Sequence, residues 1–324
     1  MVEGEGGYGE RDSLLRRSLI YASAYALPSS VLRSLVTMMS AELSPRMNGR
    51  ICMVTGANSG IGFVTSRELA RMGATVLMVC RSRERGEAAV SEIVRETSNE
   101  SIELMIADLS SQREVRRLVA DFKEAHDRLH VLMNNAVIWP VKRMLTVDGL
   151  EMQFAVNHLA PFLLTNLLLD VLKASAPARV INVSSGIHKR ARIDFDDLQA
   201  ERGYKHMRAY GQSKLANILF TYELARRLAG IRVTVNSFTP GMTKTNLGRH
   251  MSRGAQLIFR LIAKKTEKGA STAIYLATSP EVEGVTGKYF ADCKQVRSSK
   301  LSYDENLAKQ LWKASERLTG LSDG

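Results

Sequence analysis

From residue 50 onward the chain alternates between short runs of apolar residues and longer stretches with one apolar face. The short runs are nearly continuous in Val, Ile, Leu and Met, which is typical of strands covered on both faces by helices. They read RICMVTG, ATVLMVC, IELMIAD, LHVLMNN, ARVINVSS and IRVTVNSF. The stretches between them repeat apolar residues at helical spacing, over 60–72, 83–97, 111–126, 149–174 and 207–229. This alternation predicts a single α/β domain with a doubly wound parallel sheet and helices on both faces.

Residues 1–48 do not follow this alternation. They begin with GEGGYGE, whose composition predicts disorder, and continue into a stretch rich in Ser, Ala and Arg. Pro28 interrupts the apolar positions, so a membrane-spanning helix, which needs about 20 apolar residues, is disfavoured. Three interpretations stay open: a helix packed on the domain, an amphipathic segment on a membrane surface, and a targeting peptide. We therefore divide the chain into an N-terminal extension, 1–48, and one domain, 49–324.

Composition narrows the class of partner. The 324 residues are 45% hydrophobic and 24% charged, which is ordinary for a globular protein. The net charge of +12 comes from Lys and Arg dispersed through helices that also carry acids, without a nucleic-acid-binding motif. We therefore predict no nucleic-acid partner and interpret the charge as affinity for anions, such as a phosphorylated cofactor or an acidic membrane surface.

The cysteines indicate the compartment. Cys52, Cys80 and Cys293 have no metal-ligand spacing, so no metal site is predicted, and the first two lie in apolar runs typical of buried thiols. An odd number of cysteines without a disulfide framework suits a reducing compartment. We expect a cytoplasmic protein, with membrane association through residues 1–48 as an open alternative.

The first predicted strand runs directly into TGANSGIG, which places Gly56, Gly60 and Gly62 before a helix that begins near Ile61. Glycines at these points permit a tight turn, close approach of the backbone to phosphate oxygens, and tight packing of the helix on the strand. The positive helix N-terminus then attracts a diphosphate. This arrangement predicts a Rossmann-type dinucleotide-binding unit.

The end of the second strand indicates which dinucleotide binds. A carboxylate there would accept hydrogen bonds from a ribose 2′-hydroxyl, but the chain has VCRSRERG, with Arg81 in that place. A guanidinium pairs well with a phosphate dianion, so we predict NADP(H), and the hydroxyl of Ser59 is a candidate second contact for the same phosphate. The alternative is that Arg81 only begins a solvated, charged helix.

Tyr210 and Lys214 lie one helical turn apart in AYGQSKLANILF, so the phenol and the ammonium share a helix face. Together with the glycine spacing and NNA at 134–136, this Tyr-x-x-x-Lys motif resembles the short-chain dehydrogenase/reductase superfamily over about residues 50–318. DLQAERGYKHMRAYGQSKLANILF and the C-terminal sequence resemble its retinol-dehydrogenase-like branch. That branch acts on retinoids, fatty aldehydes and other hydrophobic carbonyl compounds.

The resemblance implies four catalytic residues. Tyr210 would donate or accept a proton, and Lys214 would bind ribose hydroxyls. The ammonium of Lys214 and the positive nicotinamide of the oxidised cofactor would lower the pKa of the tyrosine. A serine would bind the substrate oxygen, and in this branch it lies 25 residues before the tyrosine, which selects Ser185 over the adjacent Ser184. Asn157 would hold a water that links the lysine to solvent.

The resemblance also implies cofactor contacts at the ends of later strands. They are Asp108 and Leu109 beside the adenine, Asn135 and Ala136 after the fourth strand, and Pro240, Gly241 and Thr243 after the sixth. The family usually has Gly after this Ala, whereas Val137 stands here. Of two histidines near these motifs, we expect His158 to lie in the core and His188 to face the substrate mouth without a required role.

Apolar residues after the sixth strand predict either a lid over a hydrophobic substrate or a helix packed on the domain. They are Met242, Leu247, Met251, Leu257, Ile258, Leu261 and Ile262, with Ile138, Trp139 and Met207 as candidate neighbours. The predicted function is NADP(H)-dependent interconversion of a carbonyl and an alcohol on a hydrophobic substrate. A sugar-nucleotide epimerase and an NADPH-binding redox sensor without turnover are the alternatives. The helices at 149–174 and 207–229 resemble those through which family members dimerise.

Overall fold

A computed structural model describes residues 46–241 and 266–321. In that part of the chain, eight strands form one sheet in the order β3-β2-β1-β4-β5-β6-β7-β8. The strands are β1 Ile51–Thr55, β2 Thr75–Cys80, β3 Ile102–Ile106, β4 Val131–Asn134, β5 Ala178–Val183, β6 Val233–Thr239, β7 Lys288–Ala291 and β8 Lys294–Gln295. All neighbouring pairs are parallel except β7 and β8, which are antiparallel.

Helices connect these strands. They are α1 Gly60–Arg71, α2 Arg83–Thr97, α3 Gln112–Ala125, α4 Met152–Phe154, α5 Ala160–Leu167, α6 Leu169–Ala174, α7 His206–Arg227, α8 Thr266–Thr278 and α9 Glu305–Thr319. A π-helical turn, Ala155–Leu159, joins α4 to α5, and 3₁₀ turns lie at Gly186–Arg190, Pro280–Val282 and Lys300–Tyr303. Within residues 46–241 and 266–321, no helix has the length and apolar character needed to cross a bilayer.

Alternate side chains of the same strands enter two separate cores. Met53 and Leu77 contribute to a core with α3, α5 and α7, whereas Val54 and Met78 contribute to a core with α1, α2 and α8. The parallel register sets this alternation, since Val54 of β1 lies opposite Met78 of β2 and Met133 of β4. Strands that are apolar on both faces therefore form the buried middle layer.

The predicted fold is confirmed. The six predicted strands and five predicted helical stretches are all present, except that 149–174 is divided by the π-helical turn and by a break at Leu168. The prediction omitted β7 and β8, since KYFA and KQ are short and carry little apolar pattern, and it also omitted the helices α8 and α9. The division at residue 48 stays a prediction.

The parallel arrangement brings the carboxyl ends of β1 to β6 to one edge of the sheet. The chain order reverses between β1 and β4, because β1 leads through α1 to β2 on one side and β4 leads on to β5 on the other. In open α/β sheets, ligands bind in the crevice at such a reversal. The predicted site residues that the structure describes all follow strand ends on this edge or lie on helices beside it.

Candidate active site

The loop after β1 has the backbone that its glycines predict. Gly56 and Gly60 have φ values of 66° and 59°, in the left-handed region that favours glycine. Gly62 is needed for a different reason: a Cβ there would lie 2.5 Å from the Gly56 carbonyl oxygen and 2.6 Å from Nδ2 of Asn135. The loop therefore leaves no room for side chains at the point where α1 begins.

Thr55 and Asn135 join the ends of β1 and β4. The Thr55 hydroxyl accepts hydrogen bonds from the backbone N–H groups of Asn135 (2.9 Å) and Ala136 (3.0 Å). The Asn135 amide donates to the carbonyl of Thr55 at 2.7 Å and to that of Gly56 at 3.3 Å. Asn135 is thus a buried link between the two strands, and Ala136 lies against Gly56, whose added Cβ would approach the alanine Cα to 2.9 Å.

The start of α1 and the end of β2 offer groups for an anion. Ser59 is the N-cap of α1, but its side chain makes no capping hydrogen bond, so the hydroxyl is free to bind a ligand. Arg81 is exposed and forms no ion pair with any residue of the described chain. The first turn of α1 contains no acid, which leaves the positive helix N-terminus unopposed. These residues fit a phosphorylated dinucleotide.

Cys80, immediately before Arg81, lies beneath this loop. The backbone N–H groups of Ala57 and Asn58 hydrogen-bond the thiol, although burial raises the pKa of Cys80 to about 11. The predicted buried thiol is therefore confirmed, and it also contacts the loop. The cysteine lay in an apolar run, so nothing in the sequence indicated this second contact.

The remaining predicted cofactor residues lie on the same edge. Asp108 accepts hydrogen bonds from the backbone N–H and the hydroxyl of Ser110 at 2.9 and 2.8 Å, and Leu109 packs against the core. Pro240 follows β6, and the N–H of Gly241, which has a φ of 71°, donates to the Thr239 hydroxyl at 3.2 Å. Thr243 and the apolar residues from Met242 to Ile262 lie outside the described residues.

Three predicted catalytic residues lie close together at the ends of β5 and α7. Ser185 follows β5, and its hydroxyl lies close enough to the phenol of Tyr210, in the first turns of α7, to lower the pKa of that phenol. Nζ of Lys214 lies over the Tyr210 ring, 5.7 Å from its centroid, and donates to the Val183 carbonyl at 3.1 Å. The helical spacing and the strand end therefore bring a hydroxyl, a phenol and an amine to one point.

The structure distinguishes the two adjacent serines. The Ser184 hydroxyl donates to the backbone carbonyl of Lys214 at 2.8 Å and is buried. The Ser185 hydroxyl accepts only a long hydrogen bond, 3.5 Å, from the Ile187 backbone N–H, and it faces Tyr210. Ser184 thus ties β5 to α7, while the hydroxyl of Ser185 is available for a ligand.

Burial controls both pKa values of the Tyr210–Lys214 pair. It raises the pKa of Tyr210 to about 12, opposed by the hydrogen bond with Ser185, and it lowers the pKa of Lys214 to about 7. The expected lowering of the tyrosine pKa by the lysine is therefore wrong for the protein alone. Loss of hydration disfavours the charged forms of both groups.

Asn157 lies in the π-helical turn, whose wider hydrogen-bond spacing often occurs at functional sites. Its side chain is fully engaged: Oδ1 accepts from the Ile138 N–H at 2.9 Å, and Nδ2 donates to the Ile138 carbonyl at 3.0 Å and to the Ser213 hydroxyl at 3.2 Å. The Asn157 backbone carbonyl accepts from Nδ2 of Asn217 at 2.8 Å. The side chain therefore positions the loop after β4, and its predicted water contact stays a prediction.

A buried polar network that the sequence did not indicate supports these residues. Asn217 Nδ2 donates to the Val183 carbonyl at 3.1 Å, the same carbonyl that accepts from Lys214. Asn182 donates to Thr221 at 3.0 Å and accepts from Asn134 at 2.8 Å. The sequence signal for this network is a set of isolated polar residues within apolar runs. Such a pattern does not show which of these residues form hydrogen bonds with one another.

Trp139 and His206 are aromatic side chains beside the site. Trp139, on the loop after β4, lies with its ring 5.7 Å from that of Tyr210 and 5.6 Å from that of His206.

The structure also places the two histidines near the site motifs. His158 is a core residue, as predicted, and burial lowers its pKa to about 4. The expectation for His188 is wrong, because its side chain is 0% exposed and is hydrogen-bonded within the protein.

Comparisons with known proteins identify the family of this chain. The short chain dehydrogenase family model matches residues 50–256, and the chain belongs to that family of oxidoreductases. Human retinol dehydrogenase 14 is 47% identical over 294 residues, covering 85% of this chain and 88% of that protein. The predicted resemblance to the retinol-dehydrogenase-like branch is therefore confirmed.

Solved structures extend the comparison. An uncharacterized protein from Mycobacterium paratuberculosis is 38% identical, with a TM-score of 0.71, covering 86% of this chain and 97% of that chain. The RhlG/NADP active-site complex of Pseudomonas aeruginosa is 29% identical, with a TM-score of 0.63, covering 76% of this chain and 95% of that chain. A structural relative in the family thus binds NADP.

Proposed function

We propose that this protein uses NADP(H) to interconvert a carbonyl and an alcohol on a hydrophobic substrate, with Tyr210 as the proton donor and acceptor. The observation that carries the proposal is the contact of the Ser185 hydroxyl with the phenol of Tyr210, together with the Lys214 amine against the face of the same ring. A hydrogen-bond donor and a proton donor that meet at one point suit a carbonyl oxygen that gains negative charge.

Several features support NADP(H). The glycine loop excludes a Cβ at Gly62, the Ser59 hydroxyl is not used for capping, and Arg81 is exposed without an ion pair in the described chain. A guanidinium at the end of β2 suits a 2′-phosphate, and no acid stands before Glu84 to repel it. When bound, the nicotinamide ring supplies or accepts the hydride.

The residues of the chain perform the remaining steps. In reduction, Ser185 donates a hydrogen bond to the carbonyl oxygen, and Tyr210 transfers its phenolic proton to that oxygen as negative charge develops. In oxidation, the tyrosinate takes the proton back. An ammonium on Lys214 stabilises the tyrosinate, and its Val183 carbonyl contact fixes the amine beneath the ring.

The surroundings support a hydrophobic substrate. Tyr204 donates to the Pro140 carbonyl at 2.9 Å, which joins the loop after β4 to the start of α7 beside Trp139. Exposed apolar side chains cluster on these two segments: Val141, Met144, Leu145, Val147 and Met207. Their exposed fractions range from 43% at Met207 to 84% at Val147, and such clusters mark sites for apolar ligands or surfaces. Peripheral membrane contact through residues 1–48 and a homodimer remain parts of this proposal.

The proposal is tested by NADPH and NADH oxidation with a panel of hydrophobic aldehydes and ketones, including all-trans-retinal. We expect turnover with NADPH preferred and apolar substrates favoured over polar ones of equal length. Turnover that prefers NADH would contradict the role of Arg81. Tight NADPH binding without turnover on any substrate would instead support a redox sensor.

A further inference from the structure

His188 is a buried titratable residue that the proposed mechanism does not use. It lies in the 3₁₀ turn Gly186–Arg190, three residues after Ser185, and is 0% exposed. A histidine with no exposed surface must satisfy both ring nitrogens within the protein, or an unpaired polar atom destabilises the fold. Its two partners connect the serine to a distant part of the chain.

The first partner is the Ser185 carbonyl. That oxygen accepts from Nδ1 of His188 at 2.6 Å and from the His188 backbone N–H at 3.2 Å. One residue therefore holds the carbonyl from two directions. Because the carbonyl and the side chain share the same Cα, restraining the peptide plane after Ser185 also restrains the Cα–Cβ bond from which its hydroxyl extends.

The second partner is the backbone N–H of Ser299, which lies 3.1 Å from Nε2 of His188. A backbone N–H can only donate, so Nε2 must accept and Nδ1 must carry the proton. The neutral Nδ1–H tautomer is therefore the one form that satisfies both contacts. If Nε2 carried a proton, that N–H would face the donor N–H of Ser299, and the contact with Ser299 would be lost.

The surroundings of the ring favour the neutral form. Burial lowers the pKa of His188, and the ring of Tyr289 on β7 lies 4.9 Å away in an edge-to-face arrangement. The C-terminal segment that carries Ser299 is itself anchored to α7, because the hydroxyls of Tyr222 and Ser298 are 2.8 Å apart. His188 therefore connects a fixed segment with the serine of the site.

We propose that His188 is a positioning residue, which holds the Ser185 carbonyl through Nδ1–H and so directs the Ser185 hydroxyl toward Tyr210, with Ser299 selecting the required tautomer. The inference rests on the proposed function for its effect on turnover. The hydrogen bonds themselves do not depend on that function.

Two substitutions separate the contacts. The amide nitrogen of Asn occupies about the place of Nδ1, so His188→Asn retains a donor for Ser185 but loses the contact with Ser299. Gln reaches the place of Nε2, so His188→Gln retains an acceptor for Ser299 but loses the donor for Ser185. We expect kcat to fall about tenfold in His188→Gln and less than about threefold in His188→Asn, with KM for NADPH unchanged in both.

Tyr222→Phe is the matched control, since it releases the C-terminal segment from α7 without touching Ser185. We expect its kcat to stay near that of the native protein. Equal losses in the two His188 variants, no loss in either, or a loss in Tyr222→Phe as large as in His188→Gln would overturn the positioning role and indicate a purely structural histidine.

Nuclear magnetic resonance of the ¹⁵N-labelled imidazole separates this inference from the proposed function. If the native protein turns over no substrate, the function fails, but the tautomer of His188 is still measurable. A neutral ring protonated at Nδ1 supports the inferred contacts. A ring protonated at Nε2, or a charged ring at neutral pH, would overturn them.

Discussion

The cofactor end of this site, at the loop after β1, and the reacting end, at Ser185, Tyr210 and Lys214, depend on different kinds of groups. At the cofactor end, the loop of Gly56 and Gly62 works through backbone shape, and Arg81 is exposed. At the reacting end, the buried side chains of Lys214 and Asn217 both donate to the Val183 carbonyl, so each depends on how the other is placed. A backbone site tolerates changes in its neighbours as long as the glycines remain. In a buried network, a substitution at one residue also affects its partners, because each polar group left unpaired carries a desolvation penalty.

Tyr210→Phe should have the largest effect, because it removes the proton donor from the reacting end. We expect kcat to fall about 10² to 10⁴-fold, the usual contribution of general acid catalysis, while NADPH affinity changes little. Steady-state kinetics with a hydrophobic aldehyde, together with fluorescence titration of NADPH, measures both quantities. A variant that keeps full activity would contradict the assigned role of the phenol.

Ser185→Ala should reduce kcat about 10² to 10³-fold, as expected for the loss of a donor to a developing oxyanion. Substitution of the adjacent serine, Ser184→Ala, is the control, because the Ser184 hydroxyl donates to the Lys214 backbone carbonyl and does not face Tyr210. We expect the control to lose about 1 to 3 kcal/mol of stability and to keep most of its activity. Urea denaturation and kcat measured on both variants would reveal whether the two serines have exchanged roles.

Arg81→Asp should change cofactor choice at the exposed end. Loss of a charge-assisted hydrogen bond and introduction of a carboxylate should weaken NADPH binding about 10 to 100-fold and favour NADH. Arg83→Asp is a suitable control, since Arg83 already pairs with Glu87 on the surface of α2. KM values for both cofactors measure the switch, and equal effects in the two variants would point to general charge instead of a phosphate contact.

Gly62→Ala tests the backbone shape of the cofactor end. The new Cβ would meet the Gly56 carbonyl oxygen at 2.5 Å, so the loop must move, and we expect a loss of about 1 to 3 kcal/mol together with weaker NADPH binding. Gly186→Ala is the matched control beside Ser185, because an added Cβ there meets nothing within 4 Å. Thermal denaturation with and without NADPH measures both effects, and similar losses in the two variants would remove the distinction between the ends.

Lys214→Met, followed through the pH dependence of stability, tests the pKa of the buried amine. Burial lowers the pKa of Lys214 from 10.5 to about 7, so between these values the unfolded chain binds more protons than the folded one. This residue therefore makes the protein more stable as pH rises from about 7 toward 10, by at most about 1.4 kcal/mol per pH unit. Urea unfolding at pH 7 and 9.5 should show a smaller rise in the variant, and an unchanged rise would mean that the amine stays charged.

The local features of the chain were predictable because they depend on neighbours in sequence. Continuous apolar runs predicted β1 to β6, since strands covered on both faces have no polar alternation. The glycine spacing predicted a tight turn, which Gly56 and Gly60 form with left-handed backbone. Four-residue spacing predicted that Tyr210 and Lys214 share a helix face. The position of Arg81 followed from the end of β2 in the same way.

Contacts between distant segments were decided by the tertiary structure. Which of Ser184 and Ser185 faces Tyr210 depends on how β5 packs on α7, and the resemblance alone had to choose between them. The pairing of His188 with Ser299 spans 111 residues, so the sequence placed this histidine wrongly at the substrate mouth. In the protein without cofactor, burial, a property of the packed fold, raises the pKa of Tyr210 instead of lowering it. Local spacing determines which groups share an element, whereas desolvation and long-range hydrogen bonds arise only when the elements pack.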